Sequence, residues 1–219
     1  MNASIGGRIR RAGRIFGAVA AVVLLSVSAV NAQGGSFTDK RDGKTYRTVK
    51  IGNQTWMAEN LNYKTGKSIC YDNKESNCQK YGRLYDWKTA LKACPAGWHL
   101  PSDEEWTALT DFVGGGETKG TKLKSKTGWF ADTYMDKGYK AGTDDYGFSA
   151  LPGGYGASDG SFLTGGSYGY GFWWSATEDD ARYAWYRLMN YYYDDVVRHY
   201  DYKTSLYSVR CLKDSAAPQ

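Results

Sequence analysis

Between Cys94 and Trp106 the chain reads Cys-Pro-Ala-Gly-Trp-His-Leu-Pro-Ser-Asp-Glu-Glu-Trp, and no other stretch constrains the fold as tightly. Pro95 and Pro101 break helix on either side of a compact turn, because proline lacks an amide donor and restricts the residue before it. Ser102 followed by Glu105 has the spacing of a reciprocal capping box, so a helix starts at Asp103. Trp106, Leu109 and Val113 then make one apolar stripe over residues 103–113, and the glycines from Gly114 stop it. Upstream, Leu84, Trp87 and Leu91 form another stripe that Cys94 continues. This predicts a first helix over residues 83–93, with the sulfur turned towards a core sheet.

What the four cysteines do depends on compartment. Residues 1–32 read as a secretory signal peptide. Arg8, Arg10, Arg11 and Arg14 make a basic lead, residues 16–30 are almost wholly apolar or small, and Val30-Asn31-Ala32 resembles a cleavage site. The apolar run is short for a membrane span; the alternative is an uncleaved N-terminal anchor. The expected product is a single domain over residues 33–214 with a polar tail over 215–219, secreted or held in the periplasm or at the cell surface. Four cysteines in an exported chain point to two disulfides, with three possible pairings. Cys70 and Cys78 flank a short polar loop and are close enough to pair locally, which leaves Cys94 for Cys211 in the last strand. In the chain-entropy model the long closure restricts the unfolded chain by about 4–5 kcal/mol, against about 2–3 for the short one. A metal site is the rival use of cysteine, but His99 and His199 have no ligand-like spacing to a second histidine or a cysteine pair.

Charge narrows the partners. The formal net charge is +5, but four arginines and no acids belong to residues 1–32, leaving 24 basic against 23 acidic residues. No basic run remains to track a phosphate backbone, so nucleic acid is excluded as the expected partner. No later apolar run approaches membrane-spanning length, so the mature form is not expected to cross a membrane.

Along the mature chain, residues 33–40 read as a polar lead-in. Residues 44–51 and 54–58, joined by Gly52-Asn53, read as a β-hairpin. Tyr46, Thr48 and Lys50 share one face opposite Thr45, Arg47, Val49 and Ile51; neither face is purely apolar, which puts the ribbon at an edge. Residues 59–79 are expected as loop, and residues 117–171 as long glycine-rich loops whose interleaved aromatics favour order. From Phe172 the chain turns to strands over 172–177, 182–193, 196–200 and 207–212, with Tyr207, Val209 and Cys211 on one face of the last. Helices followed by an antiparallel meander define an α+β domain.

Several of these stretches closely resemble the Fibrobacter succinogenes major paralogous domain family. They are Phe37-Thr-Asp-Lys-Arg-Asp-Gly-Lys-Thr-Tyr46, Ile51-Gly-Asn-Gln-Thr-Trp-Met-Ala-Glu-Asn-Leu-Asn62, Tyr81-Gly-Arg-Leu-Tyr85, Cys94 to Trp106, Gly147-Phe-Ser-Ala-Leu-Pro-Gly-Gly154, Trp173-Trp-Ser-Ala-Thr177 and Ser208-Val-Arg-Cys-Leu-Lys-Asp214. The resemblance implies an exported bacterial protein and names no biochemical role. More distantly, Trp98 to Trp106 is similar to the Arg-Leu-Pro-Thr-x-x-Glu-Trp segment of formylglycine-generating (sulfatase-modifying) domains. Those belong with the C-type-lectin-like folds: two helices on a twisted antiparallel sheet, long irregular loops and termini brought together. A Cys94–Cys211 pairing suits that fold. The enzyme's activity does not carry over, because its paired C-terminal cysteines have only Cys211 to match them here. The calcium-lectin Glu-Pro-Asn, Gln-Pro-Asp and Trp-Asn-Asp signatures are absent as well.

For chemistry, His99 reads as a turn histidine held by hydrogen bonds and His199 as a surface residue; neither has a nucleophile at a useful spacing. Asp144-Asp145, Glu178-Asp179-Asp180 and Asp194-Asp195 read as solvated turn acids, with calcium left possible and no glycosidase pair singled out. No catalytic residue, cofactor or metal site is expected. The aromatics carry the hypothesis: nineteen tyrosines and eight tryptophans make the chain rich in flat rings with a polar handle. Adjacent Trp173 and Trp174 point to opposite sides of a strand, so one of them is expected at the surface. The same reasoning takes in Tyr191 and Tyr193, and the glycine-rich loops add Tyr155, Tyr168 and Tyr170. The expected function is a non-enzymatic domain that binds an extracellular polysaccharide through these rings, or alternatively a surface protein in a structural assembly.

Overall fold

Residues 45–57 fold as their alternation predicts, and the first sheet grows on both sides of them. The computed structural model describes residues 1, 34–114, 119–129, 142–164 and 169–215. Apart from Met1, the expected leader lies outside the described residues, as do Tyr168 and most of the tail. Strands β2 (Thr45–Ile51) and β3 (Gln54–Met57) pair antiparallel around a two-residue turn. Gly52 opens that turn at φ 59°, and a Cβ there would sit 2.9 Å from the Phe112 ring, so glycine meets both the angle and the space. The expected polar lead-in is a strand, β1 (Gly34–Thr38), paired along its length with β2. Its glycines and serine carry no hydrophobic alternation. Its anchor is Phe37, whose ring lies 5.2 Å from that of Trp98. The hairpin is therefore not the edge of its sheet; β1 is.

Residues 59–83 hold more than loop. They include β4 (Ser68–Ile69) and helix α1 (Glu75–Tyr81), which carries Cys78 into its bond with Cys70. The first predicted helix is corrected. Residues 84–85 form β5 (Leu84–Tyr85), paired with β4 on one side. Asp86 accepts from the Thr89 amide at 2.9 Å and starts the short helix α2 (Trp87–Ala90) only there. The strand ladder claims Leu84, and Leu91 is 40% exposed, so the apparent stripe never forms one face. After β6 (Trp98–His99), helix α3 (Asp103–Phe112) begins where predicted. Ser102 Oγ accepts from the Glu105 amide, and the Ser102 amide donates to Glu105 Oε2. Trp106, Leu109 and Val113 are buried.

The remaining elements are α4 (Lys119–Leu123), β7 (Tyr155–Gly156), β8 (Phe162–Leu163), β9 (Tyr170–Glu178), β10 (Tyr183–Asn190), β11 (Val197–Tyr202), β12 (Tyr207–Ser208) and β13 (Leu212–Lys213). The last predicted strand is split. β12 joins the six-stranded sheet β11-β10-β9-β12-β5-β4, parallel to β9, while β13 closes the five-stranded sheet β1-β2-β3-β13-β6. Residues 209–211 carry the chain from one sheet to the other. The Leu61 amide donates to Val209 carbonyl and the Met57 amide to Cys211 carbonyl. The architecture is α+β: few helices on antiparallel and mixed sheets, with Cys70–Cys78 and Cys94–Cys211 both bonded.

Two hydrophobic clusters flank the sheets, and alternation decides which one a residue enters. Tyr46, Met57, Phe172, Trp174, Tyr207, Val209 and Cys211 belong to one; Val49, Ile51, Trp56, Trp173, Met189 and Leu212 belong to the other. Arg210 sits where the chain crosses between the sheets and is 1% exposed. Its Nε and Nη2 donate to Asn60 Oδ1 at 3.0 and 2.7 Å, and its Nη1 donates to the carbonyls of Met57 and Phe148. Trp173 Nε1 donates to the same Asn60 oxygen at 2.8 Å, while Asn60 Nδ2 reaches the Tyr81 carbonyl. Burial pushes Arg210 down to about 9, with Glu59 and Asp144 pulling weakly the other way; it stays charged at neutral pH. Asn60→Ala strips three buried donors of one acceptor at once. It is expected to lower unfolding free energy by about 3 kcal/mol or more, read from urea denaturation.

His99 clamps the end of the chain to α3. Its Nδ1 meets Asp214 Oδ1 at 2.6 Å and its Nε2 meets Glu105 Oε1 at 2.9 Å. Two carboxylates on two ring nitrogens favour the doubly protonated ring. Burial alone would lower its pKa, but the hydrogen bonds and charges of Asp214 and Glu105 outweigh that and raise it. A raised folded-state pKa means the clamp contributes fully below the ordinary histidine value of 6.5 and is lost as pH climbs through the folded value. Thermal melts across neutral pH should therefore fall with rising pH, and His99→Gln should flatten that fall.

Candidate functional site

Tyr183 and Trp185 alternate along β10, and Tyr200 and Tyr202 alternate along β11. Alternate residues share a sheet face. The antiparallel register sets Tyr183 opposite Tyr202 and Trp185 opposite Tyr200, so four rings come together on one face. Tyr183 and Tyr202 have centroids 4.6 Å apart, Tyr183 and Tyr200 5.5 Å, and Trp185 and Tyr200 5.5 Å in an edge contact. Tyr200 is 44% and Tyr202 48% exposed, while Tyr183 and Trp185 are half-buried. The strip occupies the part of the β10–β11 face next to α3.

Its inner end is fixed by charge. Asp103, the first residue of α3, accepts from Arg198 Nε at 2.8 Å and from Arg187 Nη1 at 2.5 Å. Thus held, the Arg198 guanidinium lies 3.3 Å over the Trp185 ring, a cation–π contact that fixes the indole. Arg187 is buried, and burial lowers its pKa despite the Asp103 bond. The result is an ordered strip of mutually tilted and edge-on rings with a guanidinium at one end. The exposed ring faces of such a strip suit the apolar face of a sugar ring.

A second aromatic group lies at the other end of the hairpin, about 17 Å away between Trp185 and Asn190 by strand rise. Asn190 Oδ1 accepts from the Tyr192 and Tyr193 amides, and buried Lys124 donates to the carbonyls of Asn190 and Tyr193, each at 2.8 Å. Burial pushes Lys124 down to about 8. Tyr192 and Tyr193 are 49% and 64% exposed beside an open hollow of about 520 Å³ that Asp194, Asp195 and Val197 complete.

The sequence-derived candidates divide accordingly. Tyr193 is exposed and Tyr191 half-buried, its ring 3.9 Å from that of Tyr192; Tyr170 is half-buried against Tyr191. Tyr155 is half-buried against Phe172 and Tyr207, on the edge of the core. Trp173 and Trp174 correct the expectation: both are fully buried. They do point to opposite sides of β9, but each side has its own hydrophobic cluster, so neither ring meets solvent. Trp174 Nε1 donates to the Tyr85 carbonyl, and its ring lies 4.3 Å from that of Tyr207. The strip is not legible in the sequence alone. Its signal was the pair of aromatic-x-aromatic alternations, which become one surface only once the register is known.

The acids have local work. Asp144 accepts from the Ser149 amide and hydroxyl, Asp180 from the amides of Arg182 and Tyr183, and Glu178 pairs with Lys203 at 2.8 Å. Cys70, Glu75 and Cys78 converge within 4.8 Å, but the two sulfurs are bonded to each other and so are spent as metal ligands. His199 is exposed and on the face opposite the strip.

Fold and site together define a small disulfide-bonded α+β domain that displays ordered aromatic clusters on one hairpin. The model of the Fibrobacter succinogenes major domain matches residues 49–213, and the chain belongs to that family. No curated protein and no solved structure matches it. Among the described residues no helix is long and apolar enough to cross a membrane, and the bonded cysteines are consistent with an extracellular location.

Core and surface rings should separate cleanly on substitution. Trp174→Ala is expected to cost about 3–5 kcal/mol of stability. Tyr200→Ala should stay within about 0.5 kcal/mol, both measured by chemical denaturation.

Proposed function

We propose that this chain is an exported, non-enzymatic domain that binds an extracellular polysaccharide on the β10–β11 aromatic strip. The observation that carries the reading is the convergence of Tyr183, Trp185, Tyr200 and Tyr202 on one exposed face, ordered by the Asp103–Arg198 pair. Flat, pre-ordered rings lose little entropy on binding, which is what a weakly structured polymer ligand requires of its receptor. Export by a signal peptide over residues 1–32 and a C-type-lectin-like arrangement of the helices, sheets and Cys94–Cys211 belong to the same proposal. No residue is assigned a catalytic role, and neither a metal nor a cofactor is invoked.

A second reading has its own observation. β11 is the last strand of its sheet, so its outer backbone edge is unpaired among the described residues. An edge of this kind is a template for another chain, and Tyr200 and Tyr202 lie along it. In that reading the strip joins an assembly at the cell surface.

Retention on insoluble cellulose and xylan tests both. Each strip ring that loses its remaining exposed area contributes on the order of 1 kcal/mol, so Trp185→Ala/Tyr200→Ala should weaken retention by about tenfold or more. Background retention of both the unmodified and the doubly substituted protein removes the polysaccharide reading. Self-association in sedimentation that the same double substitution abolishes would establish the assembly reading in its place.

A further inference from the structure

We propose that a second, chemically different site lies in the cleft beside Arg210, and that it takes a carboxylate-bearing sugar of the uronate class. The saccharide class rests on the proposed function; the anionic character comes from the cleft alone. The cleft has a volume of about 510 Å³, room for one or two sugar rings. It opens between β2, the segment after β3, the C-terminal end of α1 and the loops at residues 125–127 and 144–151.

Charge is the first argument. Lys44, Arg47, Lys80, Lys126 and Arg210 line the cleft, against two acids, Glu59 and Asp144. Beyond residues 1–32 the chain is nearly neutral, so this is a local concentration of positive charge in a concave wall, where field lines focus. Glu59 pairs with Arg47 at 3.5 Å, Asp144 accepts from Ser149, and Lys44 pairs with Asp42 at 3.4 Å, so the charge left for a ligand is that of Lys80, Lys126 and Arg210. Lys80 and Lys126 are exposed and have no carboxylate partner among the described residues. Guanidinium and ammonium groups in such a setting select a carboxylate.

Unmet hydrogen-bonding capacity is the second. Arg210 places four N–H bonds on neutral oxygens. Each of its three nitrogens has a partner, so Arg210 brings fixed positive charge to the cleft wall. Asn62, on the same wall, carries an Oδ1 that is shielded from solvent and has no hydrogen-bond partner. Buried polar atoms in folded proteins are almost always satisfied, so a vacant acceptor beside fixed positive charge on one cleft points to a ligand with a hydrogen-bond donor and a negative charge. A uronate has both: ring hydroxyls to donate and a carboxylate to carry the charge.

Isothermal titration calorimetry of the full chain with a galacturonate oligosaccharide tests this, with the methyl-esterified oligosaccharide as the uncharged control. Binding to the free acid, at least tenfold weaker for the ester and weakening with added salt, is the expected result. Lys80→Ala/Lys126→Ala, both exposed and away from the buried network, should reduce affinity tenfold or more with an unchanged melting temperature. Trp185→Ala/Tyr200→Ala should leave the titration unaltered, so failure of the aromatic strip would show only in polysaccharide retention. No heat with the free acid, equal affinity for the ester, indifference to the lysine substitutions, or loss in the strip variant would each overturn the proposal.

Discussion

A positively charged guanidinium sits buried between two sheets, its hydrogen bonds all made to neutral oxygens and its plane over the Phe148 ring, and the arrangement of this fold depends on it. Arg210 lies between Val209 and Cys211, which both enter one hydrophobic cluster, and its own side chain goes instead to the space between the sheets. There it meets Asn60, Met57 and Phe148, which come from two other parts of the chain. A buried charge persists only if its donors are met, and meeting them sets the spacing of everything around it. Asn60 shares its oxygen with Trp173, so the guanidinium, the first sheet and β9 are positioned by one atom. The Cys94–Cys211 bond lies one residue further on and holds the same crossover covalently.

The network draws on the same stretches that carry the family resemblance. The stretches that carry it supply the members of the network: Met57 and Asn60, Tyr81, Phe148, Trp173, and Ser208 with Arg210. In this chain those stretches therefore meet in one network, which buries Arg210 and Trp173 around Asn60. The strip rings Tyr183, Trp185, Tyr200 and Tyr202 lie outside those stretches, whereas the cleft beside Arg210 draws its walls from several of them. Scaffold and strip are separate in this molecule; scaffold and cleft are not.

Where the sequence misled, the reason was a missing partner. Alternation puts Trp173 and Trp174 on opposite faces, but exposure follows only if one face is open. A single strand cannot show that β9 lies between two hydrophobic clusters. Leu84, Trp87 and Leu91 have helical spacing, yet the β-ladder to Ser68–Ile69 and the Asp86 cap divide them between a strand and a short helix. Residues 207–212 alternate as one strand should, but Ser208 is drawn to Trp173 and Leu212 to Trp56, in different sheets. Each of these is a competition that local periodicity does not see.

By itself the sequence determined the features whose causes lie within a few residues. These are the Ser102–Glu105 capping box and the helix it starts, the hairpin around Gly52, and the short disulfide of Cys70 with Cys78. It also reached one long-range fact by elimination, the Cys94–Cys211 bond, because four cysteines leave few pairings. Only the tertiary structure decided which rings meet solvent. Side-chain exposure depends on what packs against a face, and here that is chosen by strands far apart in sequence. So the candidate surface passed from Trp173 and Trp174 to Tyr183, Trp185, Tyr200 and Tyr202, residues joined by register alone.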